Sequence, residues 1–397
     1  MNKFLVCIFL MAAIGCHQKN EKGDDNENVT EITAKSEDKA VLQYIIDVEF
    51  EIDSTLNLSM LSINSFKFQG RDAVSFLHAP SESICIYDYE DKRLIKKIIL
   101  QQDGPNGIGP IDPSLGHLTI TMDSTFIYNE WQRCLFVLNA DGVVLKKYEW
   151  KNDTDNESHS TRPQVSSLWP MQKSGKFVRL PLTMNDPSVF DFDFTKMPAV
   201  LTVNIMTGEK TFEGFFSSRY NAGYWTTYSW KYTNAFYFDM KGDFLLFASP
   251  IDKTIYLKRG QGLKKLHIPS NLIPEINPMN PHKSLRERGG IGTKEENDKY
   301  VLTNPEFHYI TKDPASENFV RMAYLRPSEI EESTRFPSPS LYMVIDSTFN
   351  HVSETVLPGK YRADIFFINE KGLHVLDYEK SLQSEDKLIF GLFRITG

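Results

Sequence analysis

The sequence is short of cysteine, of long apolar runs and of positive charge, and each shortage closes off a class of protein. Four cysteines in 397 residues do not make a disulfide-built scaffold. A net charge of −8 argues against a basic face for nucleic acid. Beyond residue 15, no apolar stretch approaches the roughly 20 residues that a membrane-spanning helix needs. Convincing long helical periodicity is missing as well. There is no His-Glu-x-x-His pair for a metal and no Gly-x-Ser-x-Gly elbow for a nucleophile. The expectation is therefore no metal and no cofactor, with any catalysis resting on residues gathered from separate loops.

What fills the chain from about residue 41 onward is β texture. Short runs of Ile, Val, Leu, Phe and Tyr alternate with polar residues and are cut by Gly, Pro, Asn and Asp. The runs come in groups of four. Phe66-Lys67-Phe68, Ala73-Val74-Ser75-Phe76-Leu77, Ser83-Ile84-Cys85-Ile86-Tyr87 and the run 93–100 make one group. Leu118-Thr119-Ile120-Thr121, Thr125-Phe126-Ile127-Tyr128, Cys134-Leu135-Phe136-Val137-Leu138 and the run 143–148 make the next. Asp91-Lys92 and Asp141-Gly142 sit in the last hairpin of each, and Asp-Gly is strong turn chemistry. Looser groups follow at about 165–215, 233–268 and 304–357, and a last group, 364–393, is one strand short.

Four-stranded units repeating about every 50 residues are the mark of a β-propeller. The reading is an all-β, six-bladed β-propeller over residues 41–397. Seven blades, or a pair of β-sandwiches, are the alternatives. An open ring would leave sheet edges that invite aggregation, so the lone run Tyr44-Ile45-Ile46-Asp47-Val48-Glu49-Phe50 is expected to complete the last blade. Cys85 and Cys134 lie inside apolar runs and read as buried free thiols.

The N-terminus carries an address. Met1-Asn2-Lys3 is followed by an apolar run, 4–15, of signal-peptide length, which ends Ala13-Ile14-Gly15-Cys16. Small residues before a cysteine resemble the lipobox of bacterial lipoproteins, although Ala13 stands where Leu is usual. This predicts a signal peptide over 1–15, a lipidated Cys16, and a flexible tether over 16–40, which is too polar to bury a core. Acidic residues soon after Cys16 resemble the export signal of Bacteroidetes surface lipoproteins. The expected location is the outer membrane, held by lipid, with the cell surface as one orientation and the periplasm as the other.

Gln102-Asp103-Gly104-Pro105-Asn106-Gly107-Ile108-Gly109, and Asp313-Pro314 ahead of Asn318-Phe319-Val320-Arg321, complete the picture. They resemble the pattern of six-bladed propeller lipoproteins of Bacteroidetes, a family of unknown function. The resemblance implies fold and location and brings no catalytic residue with it. The glycines of 104–109 have the wrong spacing for a dinucleotide fingerprint, and no helix is expected after them.

Two stretches are candidates for ligand binding. The first, 215–238, holds Tyr220, Tyr224, Trp225, Tyr228, Trp230 and Tyr232. Aromatic faces with polar handles suit sugars or protein partners. The alternation of Tyr228, Trp230 and Tyr232 also fits one face of a strand. The second, 269–300, is the longest irregular stretch, and its Arg286 and Arg288 could grip a carboxylate or phosphate. The functional expectation is a binding module for a glycan, peptide or protein partner. The alternatives are a propeller hydrolase or lyase on a carbohydrate or lactone, and an envelope scaffold.

Overall fold

The computed structural model describes residues 30–36, 40–52, 58–113, 115–150, 161–185, 193–239, 244–280, 292–327, 338–384 and 386–397. Six antiparallel sheets follow one another along the chain as the blades of a propeller. Blade 1 is built from Met60–Phe68, Arg71–His78, Ser83–Asp88 and Leu94–Ile99. Blade 2 comprises Leu115–Thr121, Ser124–Asn129, Cys134–Leu138 and Val144–Glu149. In blade 3 the first strand is split into Thr161–Pro163 and Gln172–Ser174, both pairing with Phe177–Met184, before Val200–Asn204 and Lys210–Glu213. Blade 4 holds Ala235–Phe238, Leu245–Ala248, Thr254–Arg259 and Gly262–His267. Blade 5 holds Glu306–Lys312, Phe319–Tyr324, Ser340–Ile345 and His351–Leu357.

Blade 6 takes Tyr361–Asn369, Gly372–Asp377 and Lys387–Thr396 from the C-terminal end, and Val41–Glu51 from the other. The expected closure is thus in place, with Val48 opposite Phe390. The ladder slips by one residue between Leu392 and Phe393, so Ile45 is extra. Side chains alternate along a strand, and one extra residue reverses the faces. Val48 and Phe50 therefore pack towards blade 1, while Leu42 packs towards blade 5. One strand seals both neighbouring interfaces.

Burial explains the sequence texture. Middle strands are covered on both faces by adjacent blades, so Ser83–Asp88 and Ser340–Ile345 are buried throughout. Outer strands such as Val144–Glu149 meet solvent and carry lysines. The apolar core is accordingly a ring of inter-blade clusters, including one between blades 1 and 2 and one between blades 2 and 3. Cys85 and Cys134 are buried free thiols. In the blade 2 hairpin Gly142 has φ +76°, and Lys92 holds the matching place in blade 1 at φ +61°. Asp123 lies in a tight turn, and Asp346 accepts hydrogen bonds from the main-chain N–H of Asn350 and His351.

Two expectations give way. Residues 30–36, read as tether, pair in parallel with outer strands: Thr30–Thr33 beside Gly262–His267, and Lys35–Ser36 beside His351–Leu357. Edge pairing runs on main-chain hydrogen bonds, so a polar sequence suffices. Buried Ala34 supplies the apolar contact between the two short strands. Within 269–300, read as irregular, Lys294–Thr303 is an α-helix opened by a capping box in which Thr293 and Glu296 satisfy each other's main-chain N–H. Among the described residues, no helix is long and apolar enough to cross a membrane.

Candidate functional site

The aromatic segment does not form a strand. It makes two 3₁₀ turns, Ser218–Ala222 and Ser229–Tyr232, between blades 3 and 4. The rings of Tyr220 and Tyr232 stack at 5.1 Å, and Phe194 stacks on Tyr220 at 5.2 Å. Trp225 meets Tyr220 edge-on. The Tyr220 hydroxyl donates to the Lys231 carbonyl at 2.6 Å, which satisfies the buried phenol. Tyr220, Tyr224, Trp225 and Tyr232 are all buried. Burial leaves none of the four a ring face open to a ligand, and Tyr220, Trp225 and Tyr232 belong to one core cluster. Arg286, Arg288 and Cys16 lie outside the described residues.

Tyr228 and Trp230 behave differently. They are half-buried, stack on each other at 4.3 Å, and line a cavity of about 610 Å³. The helix Lys294–Thr303 forms the adjoining wall through Asp298, Val301 and Leu302. Asn297 fastens helix to turns: its buried Oδ1 accepts from the Tyr224 hydroxyl, the Thr226 hydroxyl and the Thr227 N–H, at 2.8 to 3.0 Å. The opposite wall comes from the loop that splits the first strand of blade 3, with Gln164, Leu168 and Trp169. Blade 5 supplies Glu306, His308, Tyr324 and Arg326, and blade 6 supplies Asp364.

The floor is a buried ionic cluster. Glu306 lies 2.9 Å from Lys231 Nζ and 2.8 Å from Arg326 Nη2, with all three side chains almost wholly enclosed. His308 Nε2 is 3.4 Å from Glu306 Oε1. Burial alone would push the Glu306 carboxyl up; Lys231, His308 and Arg326 together outweigh it and hold the group well below the usual range. Burial pulls the His308 imidazole down against the pull of Glu306, so it is neutral at pH 7. Asp364 is gripped by Arg362, whose Nε donates at 2.9 Å. His308 packs between Trp169 and Tyr324, with ring centroids 5.4 and 5.0 Å away.

Glu306 and Asp364 are already committed to cations, while Asp298 accepts the Tyr228 hydroxyl. A carboxylate held ionised by two paired cations is a poor general acid and a weak base. The arrangement suits binding better than proton transfer. Among the described residues no group of three or more His, Cys, Asp and Glu is placed to hold a metal ion.

Residue identity alone pointed to Tyr228 and Trp230, but not to Trp169, Glu306, His308 or Arg326. Those four come from blades 3 and 5 and share no linear motif. The Thr293-x-x-Glu296 capping box was the one local signal that a helix stood beside them.

A second histidine is enclosed elsewhere, between the first strands of blades 1 and 2. His117 Nε2 sits 2.9 Å from the Ser75 hydroxyl, and its Nδ1 2.5 Å from that of Ser62. Burial outweighs the hydrogen bond with Ser75 and lowers its pKa to about 3. Asn64 joins the same network by accepting from Ser75 and from the Thr119 N–H. Full enclosure makes this a cross-blade tie rather than a site. Arg321 does similar work: its Nη2 donates to the carbonyls of Ser249 and Asp252 in blade 4, and its guanidinium covers the Phe307 ring at 4.0 Å.

Fold and cavity define a six-bladed β-propeller closed by its N-terminal strand. The chain belongs to the family described as a domain of unknown function, DUF4221, whose model matches residues 41–356. A solved member of that family from Bacteroides vulgatus is 18% identical, with a TM-score of 0.74 over 91% of this chain and 99% of that one. A protein of Bacteroides fragilis whose name marks it as exported is 10% identical, with a TM-score of 0.53 over 93% and 100% of the two chains. A search of curated proteins found no match. At these identities the likeness concerns the fold alone.

Proposed function

We propose that this protein is a binding propeller, held at the outer membrane by lipid on Cys16, whose cavity, lined by blades 3, 5 and 6 and by the turns and helix that join blades 3 to 5, takes a glycan. One observation carries the reading. The half-buried Tyr228–Trp230 stack forms the mouth of a cavity whose depth holds Trp169, His308 and an ionic cluster. Aromatic faces suit the C–H faces of sugar rings, and fixed polar groups deeper in suit their hydroxyls. The volume is within the range of small-ligand sites, roughly 300–1,000 Å³.

The hydrolase or lyase reading draws on the same convergence of Glu306, Asp364 and His308. Ion pairing of Glu306 with Lys231 and Arg326, and of Asp364 with Arg362, favours recognition over catalysis. The anchor rests on the sequence at 1–16, where several acyl chains on one cysteine would hold firmly at about 0.8 kcal/mol per buried methylene.

The test is a glycan-array screen followed by titration of hits against Trp230→Ala and Trp131→Ala, the latter an exposed tryptophan of blade 2. Loss of about 10-fold or more in affinity with Trp230→Ala alone is expected. Equal affinity of both variants and the parent would refute the assignment. Palmitate labelling of the cells should disappear with Cys16→Ala.

A further inference from the structure

The first strands of neighbouring blades touch, blade 1 with blades 2 and 6 and blade 4 with blade 5, and so ring the propeller axis. Glu306 and His308 lie on the first strand of blade 5, and Asp364 lies on that of blade 6. The cavity they line is therefore axial. The loop 164–171, which splits the first strand of blade 3, decides how far along the axis it runs.

That loop reaches well beyond its own neighbours. Val165 packs in the cluster between blades 2 and 3 and fills the space beside Gly116, where a Cβ would strike it. Ser167 Oγ accepts the main-chain N–H of Ile63, in the first strand of blade 1, at 3.1 Å. Leu168 packs against the cluster shared by blades 5 and 6, and the Trp169 ring lies 5.4 Å from that of His308 in blade 5. Blade 3 adjoins only blades 2 and 4 in the ring. A loop that also touches blades 1, 5 and 6 must lie across the axis. It is held in shape by Ser166, whose N–H donates to the Trp169 carbonyl at 3.1 Å and whose Oγ accepts the Leu168 N–H at 3.2 Å. Val165, Ser167 and Trp169 are 3, 5 and 7% exposed, so the crossing is packed shut. Among the described residues lining the cavity none belongs to blade 1 or blade 2, because the loop stands between.

The cavity is thus a blind pocket. The turns after blade 3, the helix Lys294–Thr303, blade 5 and blade 6 wall it in ring order, and the loop closes the remaining side. The interior of a chain needs a groove open at both ends, whereas a blind pocket admits a chain only by its end. The enclosed polar groups agree. Trp169 Nε1 and both ring nitrogens of His308 make no hydrogen bond among the described residues. The indole N–H can only donate, and the neutral imidazole offers one donor and one acceptor. Native structures rarely leave such buried atoms unpaired without a use. A hydroxyl donates and accepts at once, and the last ring of a glycan keeps a hydroxyl that inner rings spend on the linkage.

We infer that the cavity recognises the end of a glycan chain and not its interior, with the terminal ring against Trp169 and His308 and the next ring on the Tyr228–Trp230 stack. This rests on the glycan reading above and specifies which part of the chain is bound.

The experiment uses the full-length protein in detergent micelles. Linear glucan, mannan, galactan and xylan hexasaccharides are titrated by calorimetry. Each is also capped, either by methylating the hydroxyl through which the chain would be extended or by reducing the opposite end to the alditol. For a hexasaccharide that binds, at least one cap should weaken binding about 10-fold or more, because it leaves a buried group without its partner. Trp169→Phe keeps a ring, loses the N–H, and should weaken the uncapped hexasaccharide about 10-fold. Unchanged far-ultraviolet circular dichroism checks its fold, and should that variant misfold, His308→Gln takes its place with the same expectation. Two caps that both leave affinity unchanged overturn end recognition and leave the glycan reading standing. Cap-sensitive binding that neither variant alters overturns the placement against Trp169 and His308. Binding of no hexasaccharide overturns both readings together.

Discussion

Phe50 is where the ring closes, and its removal tests the closure directly. The side chain is fully buried on the N-terminal strand of blade 6. Its ring meets Phe367 and Phe390 of its own blade at 6.2 and 5.9 Å, and Phe76 and Tyr87 of blade 1 at 5.8 and 5.7 Å. These four, each fixed by a strand, cannot collapse into the gap, and a fifth ring, Tyr89 in the turn after the third strand of blade 1, stands 6.3 Å away. Phe50→Ala should therefore fall in the usual range for such truncations, about 3–5 kcal/mol. Unfolding entropy of roughly 2.1 cal/mol/K per residue over residues 41–397 comes to about 0.75 kcal/mol/K. The expected fall in Tm is then about 4–7 °C, read by differential scanning calorimetry. Ile46→Ala, on the same strand but 56% exposed, is the control and should cost under about 0.5 kcal/mol. If the two variants melt together, the N-terminal strand does not hold the ring shut, and the account of closure fails.

Acid should unfold the protein early. His117 and His374 are buried, and desolvation brings each to a pKa of about 3. Their folded values lie below the unfolded value of about 6.5, so the unfolded chain takes up protons first as pH falls. Stability is fully present above about pH 6.5 and declines towards pH 3, by up to about 1.4 kcal/mol per pH unit for each histidine. Urea midpoints across pH 7 to 4 measure this, and His117→Gln should flatten the slope. Glu306→Ala leaves Lys231 and Arg326 buried without their carboxylate, and should lower stability by about 3–5 kcal/mol in a urea titration at pH 7. Deleting residues 1–36 rather than 1–29 removes the parallel strands on blades 4 and 5. A loss of about 1–3 kcal/mol is expected from main-chain bonds of roughly 1 kcal/mol each, less the entropy of ordering. Equal melting of the two deletions would show that the strap carries no stability.

Legibility followed the range of the interactions. The quartets around Ile84-Cys85-Ile86 and Leu135-Phe136-Val137 were readable because a doubly covered strand must be apolar throughout, while its outer neighbour carries lysines. The closing strand was readable because the last group lacked a member. The parallel pairing of Thr30–Thr33 was not, since edge pairing leaves no mark in side-chain pattern. Nor was the fate of Tyr220, Trp225 and Tyr232, because the same aromatic residue serves equally well as core or as surface.

By itself, then, the order of residues determined the β quartets and the strand that joins the two ends, since alternation and turn chemistry are local properties, while six blades rather than seven came from the tertiary structure. Tertiary structure alone decided which aromatic rings face a ligand and which face each other. It alone brought Trp169, Glu306, His308 and Arg326 to one cavity from blades distant in the chain. Convergence of that kind depends on the curvature of the ring, and no window of sequence records it.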